Sequence, residues 1–474
     1  MKKCLRTVFF IERGSCLDKR LGGELAGARC IVYGAAVTGR SLIKYLDSQG
    51  AEIYVSDMKK SQKEVEDIFK QEKLKNAGYF KYGESPRADY VFRTPGMHPL
   101  SQEIVKAVEA GAVMTGETEL FFARKKGKVI GVTGSDGKTT TVTLTSEILK
   151  SGKRKGRVFK GGNIGLSLTS FLSELTDDDL TVAELSSFQL MTLNVSPEIS
   201  AITNITENHL DYHKDMEEYI RAKFNIFKNP ECEKLVISEG VYLHPLFRDG
   251  KPACELLVVS DKDTNKNVYI ENGNIKFNGE AILSERDIKL RGKHNIQNFM
   301  TAIALTHGFA KKDDVIKVAR EFCGVKHRME TVLEKDGVLY CNSSIDSTPA
   351  RSCATLECFD VPTTVICGGY DKNLDYISFA EKVCEKAENV VVCGANTKKI
   401  LSAFDKIGKG NLNILCEENF SVAVEKAVEL GRNSARENGR AAVVLTPASA
   451  SFDMFENYER RGELFSDIVK KITM

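Results

Sequence analysis

One ten-residue stretch has the composition and spacing to hold a phosphate: Gly131-Val132-Thr133-Gly134-Ser135-Asp136-Gly137-Lys138-Thr139-Thr140. Lys128-Val129-Ile130 before it reads as the end of a buried strand. Thr141 to Lys150 after it reads as a helix, with Val142, Leu144, Ile148 and Leu149 at its apolar positions. A strand, a glycine turn and a helix start together make a cradle for an anion. Backbone N–H groups and the positive helix end face the phosphates, Lys138 offsets their charge, and Thr139 can hold Mg²⁺. The strict spelling of such loops has a glycine five positions before Gly137. Here that position is Val132, so the loop fits a mononucleotide but departs from the common pattern.

Further candidates lie downstream. Leu180 to Glu184 reads as a strand with an acid at its carboxyl end. Ile199 to Ile205 reads as another strand, followed by Asn208-His209-Leu210-Asp211. In a parallel sheet the carboxyl ends of the strands lie on one side, so the phosphate loop, Glu184 and the Asn204–His209 turn should share one crevice. Hard oxygens and an imidazole beside a phosphate cradle suit a Mg²⁺-nucleotide reaction. Taken singly, Glu184 could cap a helix and His209 could be structural. Asp215 to Phe227 reads as a helix with Lys223 on its apolar face. That lysine either snorkels outward or is held neutral and reactive by desolvation. Asn295 and Asn298, three apart at the start of a helix read as Phe299 to Gly308, could read a purine edge or cap the helix.

Positioning these groups takes more than one core. At 474 residues, about three domains is the natural prior. The pattern is α/β throughout. Residues 1–27 read as a loosely structured extension. Residues 28–124 open with the strand Arg29–Tyr33, a turn at Gly34 to Gly39 and the strand Ala51–Val55 ending at Asp57, a Rossmann-like outline with a degenerate glycine signature. A nucleotide diphosphate seated at Thr38-Gly39 is the reading this supports. Arg124 to Lys128 reads as a solvated basic linker. Residues 125–326 form the central ATPase domain of P-loop type, built on a parallel sheet, with a hairpin at Asn272-Gly273. Residues 327–474 form a third, Rossmann-like α/β domain.

Composition narrows the possible partners. The 67 basic and 65 acidic residues leave no electrostatic footprint for nucleic acid or an anionic membrane. The 13 cysteines have no metal-site spacing and read as reduced core residues of a cytosolic protein. No apolar run approaches the roughly 20 residues of a spanning helix.

The assembled motifs resemble the ATP-dependent Mur ligases over about residues 28–470. The resemblance rests on the loop at 131–140, Glu-Leu-Ser-Ser-Phe-Gln-Leu at 184–190, Asn-x-x-x-Asn-His-Leu-Asp from Asn204, and Gly-x-His-Asn-x-x-Asn from Gly292. Leu-Thr-Pro-Ala-Ser-Ala-Ser-Phe-Asp-x-Phe from Leu445, with Glu459-Arg460-Arg461-Gly462, resembles the D-glutamate-adding branch.

That resemblance implies an ATP-dependent acid–amino-acid ligase of cytoplasmic peptidoglycan precursor synthesis. It would join D-glutamate to UDP-N-acetylmuramoyl-L-alanine through an acyl phosphate, using ATP and two Mg²⁺ sites. A monomer without nucleic-acid or membrane partners is expected. By likeness, Gly134, Ser135, Asp136, Gly137, Lys138, Thr139 and Thr140 hold the ATP phosphates, with Asn295, Asn298, Arg328 and Asp346 as further nucleotide contacts. Thr139 and Glu184 hold one Mg²⁺; His209 and Lys223, if carbamylated, hold the second. Lys138, Glu184, His209 and Lys223 thus form the catalytic set. Thr38, Asp57, Thr94 and Asn163 match the UDP-substrate site, and Lys372, Ser451, Phe452 and Tyr458 match the D-glutamate site.

Two departures stand out. The family's ribose-binding Asp is Ser343 here, with Asp346 three residues later. Either Asp346 substitutes through a shifted turn or nucleotide binding is weaker. Asp136 stands where Asn is usual, and an acid near phosphates costs affinity unless a cation is close. The alternatives are a Mur-type ligase for another amino acid, or a divergent protein that binds nucleotide and UDP-sugar with weak turnover.

Overall fold

The computed structural model describes residues 21–163, 165–210, 212–248, 250, 252–290, 292–371 and 374–473. The chain forms two compact units. One runs to Ile288 and resumes over Lys293–Glu321; the other holds Lys289–Gly292 and the chain from Phe322.

The first unit contains two sheets. Strands β1 (Arg29–Tyr33), β2 (Glu52–Ser56), β3 (Ala77–Tyr79), β4 (Tyr90–Arg93) and β5 (Val113–Gly116) form an all-parallel sheet of order β3-β2-β1-β4-β5. The order reverses between β1 and β4, and in such sheets the crevice at the reversal receives ligands. The second sheet comprises β6 (Lys128–Thr133), β7 (Val158–Gly162), β8 (Leu180–Glu184), β9 (Ile199–Ile202), β10 (Lys234–Ser238), β11 (Glu255–Ser260), β12 (Val268–Glu271), β13 (Asn274–Phe277) and β14 (Glu280–Ser284). Its order is β14-β13-β12-β11-β10-β9-β6-β8-β7, parallel from β6 through β12. Buried on both faces, β6 and β8 are near-continuous apolar runs. The β12–β13 hairpin turns at Asn272 and Gly273, both with positive φ, as the Asn-Gly pair predicts.

The two sheets share one apolar core. Leu42 and Ile43 beside the first sheet belong to the same buried cluster as Leu168 and Phe171 of the second. Two sequence expectations give way here. Leu21 and Leu25, assigned to a loose extension, are buried in that core; the rest of the extension, to residue 20, lies outside the described residues. Arg124, assigned to a solvated linker, donates from Nε to Leu21 O at 2.7 Å and from Nη1 to Gln49 Oε1 at 2.9 Å, while Lys125 pairs with Glu198.

The second unit is a six-stranded sheet. Strands β15 (Glu330–Lys335), β16 (Val338–Asn342), β17 (Thr363–Cys367), β18 (Asn389–Cys393), β19 (Asn413–Glu417) and β20 (Ala441–Leu445) run in the order β15-β16-β20-β17-β18-β19. Only β15 is antiparallel to its neighbour. The α/β architecture on three sheets is the one the sequence predicts. The described cysteines are all free thiols, and no helix among the described residues is long and apolar enough to cross a membrane.

Candidate active site

The phosphate loop leaves β6 at Thr133 and enters the helix Lys138–Ser151 through Gly137. Gly137 has φ 78°, and a side chain there would collide with Asn298 Oδ1, so two constraints demand glycine at once. β6 lies between β8 and β9 with Val132 opposite Glu184 and Thr133 opposite Ile202. That register brings the three carboxyl ends together, as the parallel pattern predicts.

Glu184, 2% exposed, joins three elements. Thr139 donates to its Oε2 at 2.8 Å from the helix start, and Asn163 Nδ2 donates to its Oε1 at 3.0 Å from beyond β7. The next residues close a cap. Ser186 Oγ accepts from Gln189 N at 3.2 Å, and Gln189 Oε1 accepts from Ser186 N at 2.9 Å. The Ser-Ser-Phe-Gln stretch is therefore a capping box that fixes Phe188 just after Glu184.

Two lysines share one acceptor. Lys138 Nζ donates to Gly134 O at 2.8 Å and to Ser135 O at 2.8 Å; Lys223 Nζ donates to the same Gly134 O at 2.7 Å. Lys223 is 1% exposed and lies 4.5 Å over the Tyr219 ring. Burial holds its ammonium well below the usual lysine range and the charge of Lys138 pushes it further down, against an opposing pull from Asp136 and Glu184. Of the two sequence readings for Lys223, outward snorkelling fails because the helix Met216–Phe224 turns it into the protein.

Asn204 was not singled out from the sequence as a site residue, yet it holds the loop. Its Oδ1 accepts from Ser135 N at 3.1 Å and Asp136 N at 2.8 Å. Tyr219 completes the support, with its hydroxyl 2.9 Å from Ser135 Oγ. An amide at the carboxyl end of the strand next to a glycine loop was the available signal. His209 has φ 56° and packs edge-on against Phe188 at 4.9 Å and near Tyr219 at 6.4 Å. Its ring thus stands between the segment after Glu184 and the tyrosine that supports the loop. Asp136 is exposed, with its Oδ2 accepting from Thr206 Oγ1 at 3.3 Å. Thr140 is buried at the helix start.

Asn295 and Asn298 lie within a helix that starts at Lys293, not Phe299. Both are buried. Asn298 Nδ2 donates to Asn295 Oδ1 at 3.1 Å, and its Oδ1 accepts from Thr141 Oγ1 at 3.3 Å. Around the first sheet, Thr38 and Thr94 flank the β1–β4 reversal. Asp57 accepts from Ala35 N at 2.8 Å, Lys59 N at 2.8 Å and Lys60 N at 3.1 Å.

In the second unit the turns after β17 and β20 are stitched together. Gly368 N donates to Pro447 O at 2.8 Å and Tyr370 N to Ala450 O at 2.9 Å. Ser451 is buried, Phe452 is 65% exposed, and Tyr458 is half-buried at the start of the final helix. Lys372 lies outside the described residues. Beneath these turns is Arg461, 1% exposed, which the sequence marks only as part of the Glu459–Gly462 stretch. It donates to Ser344 Oγ at 3.0 Å, Ser344 O at 2.9 Å, Ser449 O at 3.0 Å and Ala450 O at 3.2 Å. Burial brings its guanidinium down to about 10, so it remains a cation at neutral pH.

Asp346 is 5% exposed, and its Oδ2 accepts from Thr355 Oγ1 at 2.7 Å and Thr446 Oγ1 at 2.9 Å. It anchors the start of the Thr446 turn. Ser343 Oγ accepts from Met329 N at 3.2 Å and so fixes the turn carrying Arg328, between His327 (φ 63°) and Met329 (φ 46°).

Comparisons with known proteins give the family and the fold. Residues 132–306 match the Mur ligase middle domain, and residues 28–116 match the Mur ligase MurD-like N-terminal domain. The chain is 40% identical over 455 residues to the UDP-N-acetylmuramoylalanine–D-glutamate ligase of Clostridium acetobutylicum, covering 93% of this chain and 96% of that one. It is 39% identical over 446 residues to the ligase of the same name from Clostridium kluyveri, covering 92% and 95%. Among solved structures, the UDP-N-acetylmuramate–alanine ligase MurC of Thermotoga maritima matches with a TM-score of 0.59 at 18% identity, covering 94% of this chain and 100% of that one. Folylpolyglutamate synthase of Mycobacterium tuberculosis, complexed with ADP and AMPPCP, matches with a TM-score of 0.55 at 14% identity, covering 75% and 93%. At those identities the structural matches speak for the fold alone.

Replacing Asn204 by Ala takes the acceptor from Asp136 N, while Ser135 N keeps the Asn204 backbone carbonyl at 3.0 Å, a loss of up to about 1.5 kcal/mol. Calorimetric titration with a non-hydrolysable triphosphate should then show roughly tenfold weaker binding. Unchanged affinity would mean that the loop holds its shape without Asn204.

Proposed function

The chain belongs to the Mur ligase family, and from that premise we propose how its residues carry out the reaction. It is an ATP-dependent ligase that adds D-glutamate to UDP-N-acetylmuramoyl-L-alanine in peptidoglycan precursor synthesis. The observation that best supports the residue roles is the bonded chain Asn163–Glu184–Thr139 at the mouth of the phosphate loop, with Lys138 and Lys223 meeting behind it.

In the proposed sequence the L-alanyl carboxylate oxygen attacks the γ-phosphorus of ATP. The bond to the bridging oxygen breaks, and ADP leaves. The amine of D-glutamate then adds to the carbonyl carbon of the acyl phosphate, and the tetrahedral adduct collapses to the amide with loss of inorganic phosphate and a proton. The protein's part is positioning and charge neutralisation. The loop amides of residues 134–140 and Lys138 grip the triphosphate. Asn163 orients the substrate carboxylate at the lip, and Asn295, Asn298 and Arg328 serve the nucleoside end. Asp346, with two hydroxyls already on Oδ2, shapes the Thr446 turn in place of gripping the ribose. Thr38, Asp57 and Thr94 hold the uridine nucleotide. Lys372, Ser451, Phe452 and Tyr458 receive D-glutamate, whose carboxylates meet a cation and backbone N–H groups.

Mg²⁺ fits these residues in a particular way. Among the described residues no group of three or more His, Cys, Asp or Glu side chains is gathered to hold a metal. One hydroxyl and one carboxylate, Thr139 and Glu184, suit an ion that brings water and phosphate oxygens as its other ligands. His209 and Lys223 would serve a second ion. Once bound, Mg²⁺ would offset the charge gathering on the transferred phosphoryl group. For Lys223 the neutral amine is the useful form. Its lone pair can bond to the carbon of CO₂ with loss of one N–H proton, leaving a carbamate anion as a hard-oxygen ligand.

Two outcomes are expected. With UDP-N-acetylmuramoyl-L-alanine and ATP, a panel of amino acids should release phosphate with D-glutamate alone; equal release with another amino acid contradicts the acceptor assignment. Under ¹³C-bicarbonate the protein should give one carbamate carbon resonance that Lys223→Arg removes; a spectrum without it overturns the carbamylation.

A further inference from the structure

Arg93 ends β4, immediately before the turn Thr94-Pro95-Gly96-Met97. It is 5% exposed, and its guanidinium works in two directions. Nη1 donates back to Met97 O at 3.2 Å within the turn. Nη2 donates outward to Phe188 O at 2.6 Å and Thr192 Oγ1 at 2.7 Å, on the segment that follows Glu184. Tyr212 grips the same turn and shares the Met97 carbonyl with Arg93. Its hydroxyl proton is shared between Pro95 O at 3.1 Å and Met97 O at 3.2 Å. Tyr212 also closes the His209 turn, its N–H donating to His209 O at 3.1 Å. The Phe188 ring fills the space between, 4.2 Å from Tyr212 and 4.9 Å from His209.

The Thr94–Met97 turn is thus bonded to both segments that carry candidate ligands of the central site. Carbonyl oxygens are modest acceptors, and a guanidinium this buried stays only where its N–H groups are used. One of its bonds holds the turn and two hold the segment Phe188–Thr192, setting the one against the other.

We propose that Arg93 and Tyr212 are positioning residues for the nucleotide-sugar substrate. They hold the turn that receives the uridine-nucleotide end in fixed register with Phe188 and His209, so that the far end, the alanyl carboxylate, arrives at the phosphate loop. This rests on the reading of Thr94 as part of the uridine-nucleotide site. Neither side chain reacts; both act through the turn they hold. The coupling is reciprocal: whatever loosens the turn weakens substrate binding, and bound substrate steadies the His209 segment.

Tyr212→Phe keeps the ring and removes only the hydroxyl. The KM for UDP-N-acetylmuramoyl-L-alanine should rise about tenfold, equivalent to ~1.4 kcal/mol. Its calorimetric Kd without ATP or Mg²⁺ should weaken by the same factor, while the KM values for ATP and D-glutamate stay within about twofold. Arg93→Gln should do the same more severely, and Arg93→Lys should restore part of the loss. If all three KM values move together, the two residues are merely structural and the proposal fails. It fails equally if nucleotide-sugar binding is unchanged in Tyr212→Phe. If the unaltered protein does not bind the nucleotide-sugar, it is instead the assignment of the substrate that falls.

Discussion

A single carbonyl oxygen, that of Gly134, receives two lysine nitrogens, and the chemistry of the central crevice follows from that sharing. The nitrogens of Lys138 and Lys223 lie 2.8 and 2.7 Å from it, hence no more than about 5.5 Å from each other. Two unit charges so placed repel by about 3 kcal/mol at an effective dielectric near 20. Lys138 is half-buried at a helix start that a phosphate can reach; Lys223 is sealed away over Tyr219. The desolvated lysine therefore gives up its proton first. In the proposed reaction the one amine would be the cation for a triphosphate and the other a nucleophile toward CO₂. The same side-chain type meets two environments because the fold places one on a lip and the other beneath it.

The rest of the first unit keeps that arrangement in register. β6 between β8 and β9 sets Glu184 and Asn204 on either side of the loop, and each fixes it through a different group. In the second unit a buried cation does comparable work without a carboxylate partner in its hydrogen bonds. Arg461 binds three carbonyls and a hydroxyl, so the turns after β16 and β20 keep one shape. Removing its head would take a donor from the carbonyls of Ser344 and Ser449, while Ala450 O keeps Tyr370 N; losing a partner for a buried carbonyl costs more than the net worth of the bond itself.

Local pattern carried much of this. Strand, glycine turn and helix at 128–150 were legible because backbone conformation and burial there are written in residue type. Lys223 stood out because a lysine interrupts an apolar helical face. Elsewhere the deciding contacts are distant in sequence. The helix carrying Asn295 and Asn298 begins at Lys293, and Asn298 is held there by Thr141 of another helix, a contact 157 residues away in sequence. Arg461 belongs to the Glu459-Arg460-Arg461-Gly462 stretch that resembles a family motif, and only the fold reveals that it points inward. Arg124, in a basic run that reads as solvated, is turned back onto Leu21 and Gln49. Ser186 and Gln189 were read as part of a family motif, but their spacing also spells a capping box, a signal that was available and passed over. Asp346 was linked to a nucleotide by its position in a motif, while its partners Thr355 and Thr446 lie 9 and 100 residues away.

The chemistry proposed for the crevice requires Lys223 to be an uncharged amine beside a charged Lys138. Its most direct measurement is a pH titration of ¹³Cε-lysine resonances in CO₂-free buffer, with Lys223 assigned by comparison with Lys223→Arg. The Lys223 resonance should titrate well below the ordinary lysine range of about 10.4 and move back up when Lys138 is replaced by Met. A Lys223 resonance that titrates with the bulk of the lysines would contradict the account.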